Sequence, residues 1–145
     1  MRRLWLLTLG LTLILSACSC YIKLTASGSL PESIAVQVSE PQRIEAVSVD
    51  RQEGKGHWVR IWDATGKAKV SSITYGVVPK GMHQLKVPEP LRRLHIYHAM
   101  IHTPPTFFGP PCGGGVVFWI AANGQLRTCI SGKCEERLLA GKIPE

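Results

Sequence analysis

The chain has none of the short motifs that mark a nucleophile, a metal or a phosphate site. It contains no Gly-x-Ser-x-Gly, no His-Glu-x-x-His and no phosphate-binding glycine loop. Gly113-Gly114-Gly115 precedes a strand pattern rather than a helix, so it has no helix N-terminus to hold an anion. There is no Cys-x-x-Cys, the usual redox dithiol. Neither enzyme activity nor a cofactor is expected. Acidic residues are scarce: ten Asp and Glu face seventeen Lys and Arg, a formal charge of +7. Arg2 and Arg3 belong to the leader, so from Cys18 onward fifteen cations against ten anions leave +5. Such an excess suits anionic lipid headgroups or other envelope polyanions. No long run of like charges concentrates it, and an ordinary basic surface accounts for it as well.

A membrane-spanning run is also missing. The apolar stretch Leu4–Leu15 has twelve residues, about 18 Å as a helix, against a hydrocarbon core of about 30 Å. With Arg2-Arg3 before it, the stretch reads as an export signal. Leu15-Ser16-Ala17-Cys18 then places two small residues ahead of a cysteine, and this resembles the lipobox of bacterial lipoproteins. The resemblance implies cleavage after Ala17 and a diacylglyceryl group on the Cys18 thiol, with several acyl chains as a firm membrane anchor. It also implies an outer-membrane, periplasm-facing location, because Ser19 rather than Asp follows the cysteine. Export disfavours nucleic acid as a partner. The expected organisation is a cleaved signal peptide at 1–17, a lipidated cysteine with a short tether at 18–30, and one folded domain at 31–145.

Alternation dominates the domain. Ile34, Val36 and Val38 alternate with Ala35, Gln37 and Ser39, and Ile44–Val49 follows. His57–Trp62 and Val70–Val77 flank Asp63-Ala64-Thr65-Gly66-Lys67, which reads as a hairpin loop. Within the tether Tyr21-Ile22-Lys23-Leu24 already fits a strand, Ala26-Ser27-Gly28-Ser29 and Pro79-Lys80-Gly81 read as turns, and the latter leads into a short strand at His83–Val87. Val116–Ala122 and Gln125–Ile130 enclose Asn123-Gly124, a strong hairpin signal. Seven or eight strands at such spacings predict an all-β fold, a small β-sandwich of immunoglobulin-like or transthyretin-like architecture. Residues 90–103 fit a helix or a strand, and the β-rich surroundings favour strand. Thr103–Gly115, with four prolines and four glycines, reads as a loop without regular structure.

Export permits disulfides among the other four cysteines. A two-residue loop at Asn123-Gly124 would pair Phe118 with Cys129 and bring Cys112 within one bulge of Cys134. Cys112–Cys134 is therefore the favoured bridge. Cys129–Cys134 and Cys112–Cys129 are the rivals, with Cys20 an odd partner or free.

His95, His98 and His102 share one face only if 90–103 is helical; then they could hold a zinc ion. On a strand His98 and His102 are about 13 Å apart, so a shared ion is excluded. Trp58, Arg60 and Trp62 alternate, and on an exposed strand face they would form a cation–π ladder; the plainer reading buries both indoles. Phe107 and Phe108 in the Pro-rich loop are a second candidate contact surface. The expected function is that of a noncatalytic envelope lipoprotein serving as a structural or docking component for another envelope protein. A periplasmic ligand binder or enzyme inhibitor acting through the Phe107–Gly114 loop is the alternative, and a metal-binding protein using the three histidines a lesser one.

Overall fold

The computed structural model describes residues 20–105, 109–129 and 132–143. The leader, Cys18, Ser19, Phe107 and Phe108 lie outside the described residues. Seven strands follow one another: β1 (Leu24–Gly28), β2 (Ile34–Gln52), β3 (Trp58–Thr74), β4 (Met82–Lys86), β5 (Ile96–His102), β6 (Gly113–Ile120) and β7 (Leu126–Thr128). They pair antiparallel in the order β4-β3-β2-β5-β6-β7, with β1 also on β2. The fold is all-β, as the alternation predicts.

β2 organises the sheet. Its first half pairs with β1, Leu24 opposite Val38 through Gly28 opposite Ile34. Its second half pairs with β5, from Ala46 opposite His102 to Arg51 opposite Tyr97. Between the halves the register with β3 slips from Gln37 to Gln42, across Pro41, which has no N–H to give a ladder. The strand bends there, and the sheet folds back on itself in a sandwich-like manner. Single bridges from Tyr21 to Gly113 and from Ser29 to Gln125 join the β1 segment to β6 and to the residue before β7. Between the halves lie Trp62, Tyr97, Phe118, Ile61 and Ile101, all fully buried. Each such side chain contributes about 1.5–3 kcal/mol by leaving water. Tyr97 and Phe118 are direct cross-strand partners and stack with centroids 5.4 Å apart.

Several local expectations are corrected. Residues 20–30 are no tether: Ile22 and Leu24 are buried and β1 is part of the sheet, so folded structure extends back to Cys20. Ala26–Gly28 is strand rather than turn. Asp63–Lys67 is no loop but the middle of β3, where Asp63 to Gly66 pair with β4 on one side and β2 continues on the other. The hairpin turn is Glu53-Gly54-Lys55-Gly56-His57, closed by the Glu53 N–H to His57 carbonyl bond of 2.8 Å. At the last hairpin Ala121 donates to Gln125 at 2.9 Å, so the loop has three residues, ending on Gly124 at φ 88°. Every pair shifts by one, and Phe118 faces Thr128 rather than Cys129.

The shift removes the basis for Cys112–Cys134. The ladder ends at Thr128, and the chain turns into an unanticipated helix, α1 (Gly132–Leu139). The bridges are Cys20–Cys112 and Cys129–Cys134, with Cα separations of 5.1 and 5.4 Å. α1 lies on the outer face of the sheet, where Leu138 is fully buried against Ile96 and Trp119.

The loop expected through Gly115 ends early, because Gly113–Gly115 begin β6. A Cβ on Gly114 would sit 2.2 Å from the Ile22 carbonyl oxygen, so glycine is what lets β6 approach the β1 segment.

Two outcomes are expected. Gly114→Ala should lower stability by about 1–3 kcal/mol in urea unfolding; an unchanged midpoint would mean that the Ile22 segment does not pack there. Replacing Cys20 and Cys112 together by Ser opens a loop of 92 residues and should cost about 4–5 kcal/mol. The same change at Cys129 and Cys134, separated by 5 residues, should cost about 2 kcal/mol. Unfolding midpoints under non-reducing conditions check the order.

Candidate functional site

The Trp58-Arg60-Trp62 ladder does not form, because β3 carries a bulge within it. Trp62 faces Val49 and Arg60 faces Asp50, leaving Ile61 as the extra residue and reversing which side chains point inward. Trp62 is buried in the core, edge-on to Tyr75 at 5.4 Å. Trp58 packs on the opposite face beside Ile96, Trp119 and Leu138. Arg60 bonds Asp50 and, at 3.0 Å, the Asp63 carboxylate.

Residues 96–102 are strand, so the helix that the metal reading needs is absent. His95 Nδ1 contacts the Arg93 carbonyl oxygen at 2.9 Å, His98 lies against Trp58 at 5.8 Å, and His102 is exposed. Among the described residues no three His, Cys, Asp or Glu side chains converge to hold a metal. Burial holds the His98 ring below its ordinary 6.5, and the charges of Asp50 and Glu135 oppose that only in part. Of the Phe107–Gly114 loop, the described end is not free to project. Cys112 is bonded to Cys20, and Thr103 Oγ1 accepts the Cys112 N–H at 2.9 Å. The space between the sheet halves is about 10 Å³, too little for an organic ligand.

The described surface most suited to recognition is the β4 edge, whose only strand partner among the described residues is β3. Leu85 and Val87 are 61% and 72% exposed, and Val77 in the preceding turn is 59% exposed; Leu85 is the extra residue of a bulge, between Gln84 opposite Ala64 and Lys86 opposite Asp63. A buried cation fixes the segment that follows. Arg51, whose side chain is 7% exposed, holds Glu53 and, at 3.0 Å, Glu89; Lys86 reaches Glu89 at 3.0 Å. Lys86 and Arg51 together keep the Glu89 carboxyl below the usual carboxylate range. Tyr75 Oη donates to the Glu89 carbonyl at 2.7 Å, and burial raises its pKa. An open backbone edge with apolar side chains on rigid supports is what strand addition by a partner requires. The signal in the sequence was Leu85 and Val87 at a spacing of two, closed off by Pro88, in a strand too short to bury them.

Stability should depend on pH through His98. Above about 6.5 both folded and unfolded chains hold it neutral; below, the unfolded chain binds a proton that the folded chain resists, so stability falls as pH drops. Between about pH 7.5 and about pH 5 the urea midpoint should fall less in His98→Gln than in the parent. An equal fall in both proteins would remove His98 as a source of the pH dependence.

No protein-family model, no curated protein and no solved structure matches this chain, so what the domain does has to follow from its own residues.

Proposed function

We propose that this protein is an envelope lipoprotein, anchored through acyl chains on Cys18, whose noncatalytic domain docks another envelope protein along β4. The docking half is carried by one observation: Leu85 and Val87 stand exposed beside a strand edge that is unpaired among the described residues. A partner strand would gain backbone hydrogen bonds from the edge and apolar burial from the two side chains. A second copy is the poorer occupant, since each carries the same net positive charge from Cys18 onward. The anchoring half is supported by the leader and by the place where folded structure starts. Cys20, two residues after the lipobox cysteine, is already bonded to Cys112. Acyl chains on Cys18 would hold the domain against its membrane with almost no slack.

Both halves have direct tests. Intact mass of the mature protein should show loss of residues 1–17, acylation of Cys18 and two disulfides; an unmodified Cys18 would overturn the anchor. A photoreactive residue in place of Leu85, activated in the native cell, should yield an adduct with one discrete envelope protein. That adduct should weaken at least tenfold when Val87→Glu is added. Adducts only with a second copy, or none, would overturn the docking reading.

A further inference from the structure

One group of cations in this domain is held by acids. Arg51, Arg60 and Lys86 are ion-paired with Asp50, Glu53, Asp63 and Glu89, toward the β2–β3 turn. A second group, Lys23, Arg43, Lys67, Lys69 and Lys80, forms no ion pair with any described residue, which is also true of seven further cations elsewhere in the domain.

The second group gathers at the other end of the sheet. Arg43 and Lys69 are direct cross-strand partners on β2 and β3. Lys67 and Lys69 alternate with buried Ala68 and Val70, so both point outward. The Lys67 N–H donates to the Gly81 carbonyl at 3.1 Å, which brings Lys80 alongside, and Ser39 donates to the Lys23 carbonyl at 3.2 Å. Glu40 and Glu45 flank Arg43 in sequence, and five cations against these two acids leave the cluster positive. Arg43 and Lys69 line an open groove of about 760 Å³ together with Cys20, Tyr21, Ile22 and one acid, Glu40. With Lys67 and Pro104 they also line a second groove of about 330 Å³. The basic cluster thus shares a surface with the first described residue of the chain.

We infer that this basic end is a membrane-facing surface that binds the headgroups of anionic phospholipids. The inference rests on the anchoring half of the proposed function. Two residues of backbone span at most about 7 Å, so acyl chains on Cys18 would keep the groove beside Cys20 within about one Debye length of the headgroups. At that range like-signed cations attract an anionic bilayer, each strengthening association about fivefold. The arrangement fixes orientation as well as affinity: with the basic end down, the β2–β3 turn and its ion-paired surface point away from the bilayer.

The test is amine-reactive footprinting of the full mature protein in vesicles, either of phosphatidylcholine alone or with about one-third phosphatidylglycerol. Lys67, Lys69 and Lys80 should label several-fold more slowly when the anionic lipid is present. Lys55, in the β2–β3 turn, should label equally in both. About 1 M salt, where the Debye length is near 3 Å, should erase the difference. Lys67→Gln with Lys69→Gln, both exposed changes, should remove protection from the remaining Lys80. Equal labelling of the three lysines in both vesicle types would overturn the inference. So would protection seen only in native envelopes, which would assign the cluster to a protein partner. The intact mass separates the two failures. Acylated protein without lipid-dependent protection sinks this inference alone, while unacylated protein that anionic vesicles still protect sinks only the anchor.

Discussion

One sheet has to supply both sides of its own core, and the rest of the structure answers to that constraint. A flat seven-stranded sheet of this composition would leave an apolar face in water. The bend of β2 around Pro41 removes the difficulty by turning the first half of the β2–β3 ladder over the second. Strand length then matters more than strand number. The hairpin works because β2 and β3 are 19 and 17 residues long, enough to serve two layers each. The bulge at Ile61 belongs to the same solution, since it lets Ile61 and Trp62 both be buried while Arg60 turns out to its carboxylates.

Much of this was legible in the sequence, and the failures share a cause. Ile34, Val36 and Val38 reported their inward face correctly, because period-two burial is a local property. What could not be read was any feature that depends on counting across an irregularity. A bulge shifts parity without a residue signature, so Trp58 and Trp62 looked like one face and are two. Reading a three-residue turn as two residues displaced every partner beyond it, and the disulfide argued from that register fell with it. Glycine is ambiguous in the same way: Gly66 and Gly113–Gly115 look like punctuation in the sequence, whereas they lie in strands. The eight-residue α1 is too short for a helical period to emerge, and its one clear signal was Gly141 just past its end, at φ 78°.

The proposed functional surfaces show the same division. The resemblance of residues 1–18 to a leader and lipobox is a linear pattern and needs no fold to be seen. The β4 edge and the basic end are products of topology: Lys67, Lys80 and Arg43 are scattered along the chain and meet only because β2, β3 and the turn before β4 do. Sequence composition gave the sign of the charge, and the fold alone gives its place.

The Cys20–Cys112 bond has a mechanical meaning. It closes β1 to β5 into one covalent ring, and any pull on the N-terminus enters the domain through that bond rather than through the β1–β2 ladder. A terminal strand drawn along its own end would otherwise peel away, breaking its hydrogen bonds one at a time. Here the load passes across the sulfurs into the start of β6, deep in the sheet, and β1 hangs slack beside it. The bond is a shackle at the point of attachment, so that tension on the tail strains the sheet before it can unzip its first strand.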